Sequence, residues 1–182
     1  PLEAALTDYV DFLEREDISW MIGERCRQGE IQLVYETDRD ECYRFVDTGR
    51  CTRIEGGLLG LQYGLSDLLE QAGMGFFHPH ATTGPDELSL PEIAETEWQC
   101  PQMARRGIHM HTLHPTEGYF DAWESDGDTR NMRRIADWVI KNRGNHLQWV
   151  ALDSMPTNWE TDTQAIVDAI EARGLTTGLG VQ

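Results

Sequence analysis

From Arg105 onward the chain repeats one pattern, a short apolar run followed by a segment of helical period, and few folds accept that alternation. Arg105-Arg106-Gly107-Ile108-His109-Met110-His111-Thr112-Leu113-His114-Pro115 reads as a short buried strand that delivers polar side chains to its end. Side chains on a strand alternate faces, so Ile108 and Met110 pack on one side, His109 and His111 point to the other, and His114 falls in the loop beyond. Two helix-then-strand units follow: Asn131 to Arg143 then His146 to Asp153, and Asp162 to Arg173 then Leu175 to Val181. This β-α-β-α-β order implies parallel strands joined by right-handed crossovers, with chemistry at the carboxyl ends of the strands, where His111, His114 and Asp153 would stand.

Composition narrows the partners. Of 182 residues, 40% are hydrophobic, which is enough for a real core, but 32 acidic side chains face 15 Lys plus Arg and the formal charge is −17. Such a surface repels phosphate backbones and anionic lipid, so neither nucleic acid nor a membrane surface is an expected partner. Lys141 is the only lysine, and an acidic, lysine-poor surface suits a halophilic source. No apolar run reaches the roughly 18 residues a membrane span needs, and these residues show no signal-peptide pattern; a chain starting at Pro1 suggests a processed or incomplete amino end. Cys26, Cys42, Cys51 and Cys100 lack CxxC spacing, which removes zinc-knuckle and thioredoxin-type motifs. They leave open either disulfides, in a secreted or periplasmic protein, or buried free thiols. No cofactor is expected.

Upstream, Leu2, Leu6, Tyr9, Val10 and Leu13 recur at helical spacing and predict an amphipathic surface helix over residues 2–15. Ile31 to Tyr35 reads as a strand, and Cys42 to Val46 with Cys51 to Ile54 as a hairpin around Asp47-Thr48-Gly49-Arg50, whose glycine can take a positive φ. In a tight hairpin centred there Cys42 and Cys51 do not face each other, so a bond between them is disfavoured. Leu58, Leu61, Leu65, Leu68, Leu69 and Ala72 mark a helix that Gly73 ends. With the strands this makes a small α/β sandwich over residues 1–98. Phe76-Phe77-His78-Pro79-His80 then leads into a loop, and the acidic, proline-bearing stretch to Trp98 reads as a connection, with a second domain over 101–182.

Gly56-Gly57-Leu58-Leu59-Gly60-Leu61-Gln62-Tyr63-Gly64-Leu65-Ser66-Asp67-Leu68-Leu69, placed after a hairpin and before Phe-x-His-Pro, resembles the small α/β domain that precedes the catalytic barrel of β-N-acetylhexosaminidases and α-glucuronidases. Arg106-Gly107 matches the "R-G" that opens their first barrel strand, and Asn145 to Asp153 matches the "N-x-L-x-W-x-x-x-D" of the second. The resemblance covers most of the chain and implies a glycoside hydrolase acting on oligo- or polysaccharides, with the chain ending after the first three strands of a (β/α)₈ TIM barrel. One departure is His111, where hexosaminidases usually carry Asp. A second is that their Asp-Glu pair lies on the fourth strand, so no catalytic acid or base is expected within this chain and the fragment alone is expected to be inactive.

The resemblance gives Arg106 hydroxyls of the terminal sugar to bind, a task suited to a rigid fork of donors, and gives Asp153 a supporting role in the catalytic network. From the residues themselves, His109, His111 and His114 offer hydrogen bonds to a sugar, and Tyr119 and Trp123, with Phe120, offer aromatic faces to a pyranose in the loop after the first strand. Trp138 and Trp149 read as core. Asp126-Gly127-Asp128 has too few ligands for a calcium loop and reads as a turn. The H-x-H at His109 and His111 also fits a metal-dependent TIM-barrel hydrolase, with Asp153, His78 or His80 as further ligands, although hydrogen bonding is favoured over metal binding. The other rival is a non-catalytic carbohydrate-binding or scaffold protein. Three strands alone leave Ile108 to Thr112, Leu147 to Leu152 and Leu175 to Val181 without inward partners, which predicts an apolar face awaiting the rest of the barrel or another chain.

Overall fold

The computed structural model describes residues 26–110, 130–151 and 159–181. The fold is mixed α/β, and the chain divides into two compact units, Pro1–Ala104 and Arg105–Gln182. The helix expected over residues 2–15 lies outside the described residues.

The first unit is built on a three-stranded mixed sheet. Strands β1 (Ile31–Tyr35), β2 (Tyr43–Asp47) and β3 (Thr52–Gly56) lie in the order β1-β3-β2, with β3 parallel to β1 and antiparallel to β2. The β2–β3 turn forms as its sequence dictates: Gly49 takes φ 69° and its N–H donates to Asp47 Oδ1 at 2.7 Å. One face of the sheet carries Ile31, Phe45 and Ile54, all buried. The other carries polar cross-strand pairs, Arg53 donating to Gln32 at 2.9 Å and Arg44 to Glu55 at 2.6 Å. The hydrogen bond that Arg44 donates to the Glu55 carboxylate is the main reason the Arg44 pKa stands above its ordinary value.

Helix α1 (Leu58–Gln71) is buried around nearly its whole circumference, including Leu61, Tyr63, Leu65, Leu68 and Leu69. Its glycines have a steric purpose. No side chain caps its amino end; instead the N–H groups of Leu59 and Gly60 donate to the Asp40 carbonyl at 3.0 and 2.9 Å, and that of Gly57 to the Arg39 carbonyl at 2.9 Å. These bonds satisfy donors a helix start leaves open. A Cβ on Gly60 would collide with the Cys42 carbonyl, and one on Gly57 with Asp40, so only glycine lets the 39–42 backbone lie this close. At the other end Gly73 takes φ 97°, its N–H reaching the Glu70 carbonyl and that of Met74 the Leu69 carbonyl, both at 3.0 Å. This is a Schellman ending.

Beyond α1, Phe76 to His80 does not simply lead into a loop. It forms the end of β4 (Gly75–His78), which pairs antiparallel with β5 (Ala81–Thr83) around a turn at Pro79-His80. The stretch from 84 to 98 has neither helix nor strand, yet it is tied down. Tyr43 and Gln99 exchange backbone hydrogen bonds at 3.0 and 2.7 Å, and the Trp98 ring lies beneath the guanidinium groups of Arg39 and Arg44, 4.9 and 4.8 Å from its centroid. The cysteines pair Cys26–Cys51 and Cys42–Cys100, which settles in favour of disulfides a choice the sequence left open. The second bond stands beside the Tyr43–Gln99 pair and fastens the connecting stretch to the edge of β2.

In the second unit β6 (Gly107–Met110), β7 (His146–Ala151) and β8 (Thr176–Val181) form a parallel sheet in sequential order, alternating with α2 (Arg130–Lys141) and α3 (Trp159–Glu171). Met132, Ile135, Ala136, Val139 and Ile140 of α2, with Ile166 and Ile170 of α3, are buried, as are Leu147 and Trp149 of β7. Trp149 is core as expected, while Trp138 is half-buried. Arg173, 2% exposed, bonds Asp137 Oδ1 at 2.7 Å and the Ala169 carbonyl at 2.7 Å, so it ties α2 to the end of α3. Lys141, the only lysine, is buried.

The apolar face expected on the open side of this sheet is not what the described residues present. Register places Gly107, His146 and Thr176 in one row and His109, Gln148 and Gly178 in the next, and none of these six is buried. The period of two expected of the first strand also runs through the second. Leu147 and Trp149 turn toward the helices, so the uncovered face is polar and glycine-rich.

Candidate functional site

The polar face of the β6-β7-β8 sheet gathers the chemistry-bearing residues of the second unit. His109 is exposed on β6 and stands in register with Gln148 of β7. His146 Nδ1 lies 2.8 Å from Thr176 Oγ1, which in turn donates to the Asn145 carbonyl at 3.0 Å. Gly178 leaves room above β8: a Cβ there would stand 3.3 Å from Gln148 Cγ and 3.6 Å from His146 Cε1, so both side chains lean across that glycine. The result is a shallow floor of imidazole, amide and hydroxyl groups able to donate and accept hydrogen bonds at neutral pH.

Arg106 and Gly107 form the near edge of this floor, and their roles are visible in the backbone. The Arg106 N–H donates to Asn145 Oδ1 at 2.8 Å, and its side-chain Nε donates to the Arg143 carbonyl at 2.7 Å. The Arg106 carbonyl accepts from the N–H groups of Asn145 and His146 at 2.7 and 3.0 Å. A Cβ on Gly107 would collide with the His146 carbonyl. The Arg-Gly pair therefore fixes where β6 meets β7. Arg106 stands at the amino end of β6, the end opposite to the carboxyl ends where chemistry was expected.

Of the residues singled out in the sequence, Arg106 and His109 are thus located, and His111, His114, Tyr119, Trp123 and Asp153 lie outside the described residues. His146, Gln148 and Thr176 were passed over. Their signal was the polar alternate positions of His146-Leu147-Gln148-Trp149, which a reading for apolar content ignores. His78 and His80, named as distant metal candidates, sit with ring centroids 5.7 Å apart on the β4–β5 turn of the other unit, the His80 N–H donating to His78 Nδ1 at 3.1 Å. Among the described residues no group of three or more His, Cys, Asp or Glu is placed to hold a metal ion.

No protein-family model matches the chain, and no curated protein does. Among solved structures the chain is similar to a GH138 enzyme targeting pectin rhamnogalacturonan II, with a TM-score of 0.58 and 14% identity over 94% of this chain. It spans 22% of that enzyme's length. At this identity the likeness is one of fold, that of a part of a glycoside hydrolase.

Proposed function

We propose that this chain is the amino-terminal portion of a glycoside-hydrolase-like enzyme acting on oligo- or polysaccharides, with an α/β domain over residues 1–98 and the first three strands of a (β/α)₈ barrel from residue 101. The observation that carries the reading is the second unit's sequential parallel sheet, helices on one face and hydrogen-bonding side chains on the other. A sheet meant for an apolar interface would carry Leu and Val where this one carries His109, His146, Gln148 and Thr176. The fold likeness to part of a glycoside hydrolase supports the same reading.

In this reading His109 contacts substrate, together with His111, His114, Tyr119, Trp123 and Asp153 at the carboxyl ends of the strands. Arg106 positions β6 through its hydrogen bonds to Arg143 and Asn145. The two carboxylates that glycoside hydrolysis needs come from strands beyond this chain. The partner of the open edge of this sheet is the remainder of the barrel or another chain.

The test is an assay of the full-length protein against aryl glycosides and plant and bacterial polysaccharides, with release of reducing ends as the readout. Hydrolysis of at least one is expected, and His109→Ala should lower kcat/KM about tenfold, equivalent to roughly 1.4 kcal/mol. Binding without hydrolysis would replace this reading with a carbohydrate-binding scaffold. Activity abolished by a chelator and restored by zinc or manganese would replace it with a metal-dependent hydrolase.

A further inference from the structure

We propose that the β4–β5 hairpin of the first unit is an accessory platform for a neutral sugar ring, with Phe77 stacking on the ring's apolar face and Thr83 supplying a hydrogen-bonding hydroxyl. Gly75 pairs with Thr83 and His78 with Ala81. Three steps along β4 thus match two along β5, and one extra residue is accommodated by a bulge. Successive side chains of β4 face opposite ways: Phe76 is 4% exposed and belongs to the core, while Phe77 is 79% exposed.

The Phe77 ring does not extend freely into solvent. It occupies the place where a side chain at Gly75 would be: a Cβ there would collide with Phe77 Cε2, and would lie 2.9 Å from Cζ and 2.7 Å from Thr83 Oγ1. The ring is therefore seated on the strand backbone with the Thr83 hydroxyl nearby. At the turn that joins the two strands, His78 Nδ1 accepts the His80 N–H at 3.1 Å.

One exposed aromatic ring beside a hydroxyl matches a single pyranose, which presents C–H groups on one face and hydroxyls around its rim. It offers far too little apolar area for a protein interface, which needs about 800 Å² per partner. The chain's formal charge of −17 disfavours polyanionic glycans and selects neutral ones. The proposal rests on the glycoside-hydrolase reading only for the class of ligand.

The experiment is affinity electrophoresis of the full-length protein in gels containing xyloglucan, galactomannan or mixed-linkage β-glucan, with polygalacturonate as the anionic comparison. Retardation by at least one neutral glycan is expected, weakened fivefold or more in Phe77→Ala, retained in Phe77→Trp, and with an unchanged melting temperature in both. Absence of retardation by every neutral glycan, or equal retardation of the wild type and Phe77→Ala, would overturn the platform. Retardation by polygalacturonate alone would overturn it too. Binding is read without turnover, so a protein that hydrolyses nothing yet is held through Phe77 supports the platform while rejecting the hydrolase reading.

Discussion

In the first unit a helix buried on nearly every side sits on a mixed sheet, and two disulfides fix the surrounding loops, one spanning 25 residues of sequence and the other 58. The second unit has no cysteine at all after Cys100, and its sheet is covered by helices on one face while the other shows histidine, glutamine and threonine. The first unit gains stability by restricting its unfolded chain as well as by burial. The second relies on local β-α-β packing and on a buried ion pair. A polar sheet face can remain in water without the cost that an apolar one would carry, and it leaves hydrogen-bonding groups available to a ligand or to further strands.

The contrast can be broken most decisively by reduction. Chain-entropy arguments give roughly 3.5 kcal/mol for a loop the size of the Cys26–Cys51 loop and roughly 4 kcal/mol for that of Cys42–Cys100. Treatment with thiol, or the double replacements by serine, should speed amide exchange sharply in residues 26–104 and leave 130–151 and 159–181 unchanged. Equal loss of protection in both units would show that they unfold as one and that the contrast is only descriptive.

The next effect belongs to the second unit. Asp137→Ala leaves the Arg173 guanidinium, 2% exposed, without its carboxylate, and removing one member of a buried pair costs about 3–5 kcal/mol. Urea unfolding followed by amide exchange of the second unit should register it, and a loss under about 1 kcal/mol would mean that water reaches the pair. Smaller still is Gly107→Ala, where a methyl meets the His146 carbonyl; overpacking of this sort costs about 1–3 kcal/mol. Its signature would be lost protection at the β6–β7 ladder. Smallest of all is His109→Ala, which should stay within about 0.5 kcal/mol because the side chain is exposed. A stability loss well beyond that would sharpen the comparison by showing that the polar face is structural as well as available for binding.

Much of the element list was legible in advance. The strand at 31–35, the hairpin about Gly49, the helix ended by Gly73 and the β-α-β-α-β run from 107 to 181 all follow from periodicity and turn chemistry. The β4–β5 hairpin was missed because Pro79 between two histidines looks like the start of a loop, and strands of four and three residues are too short to show a period. The candidate site was only partly legible: His109 was named, but Gln148 and His146 were hidden in a stretch valued for Leu147 and Trp149.

By itself the sequence determined which segments are helix and which are strand, because side-chain period, glycine at positive φ and proline placement act within a few residues of chain. Only the tertiary structure decided the cysteine pairing, the insertion of β3 between β1 and β2, the meeting of Arg173 with Asp137, and the polar character of the open sheet face. Each of these joins residues some 10 to 60 positions apart. Such contacts depend on how several elements pack at once, and no local propensity records which distant partner will be there when the chain closes.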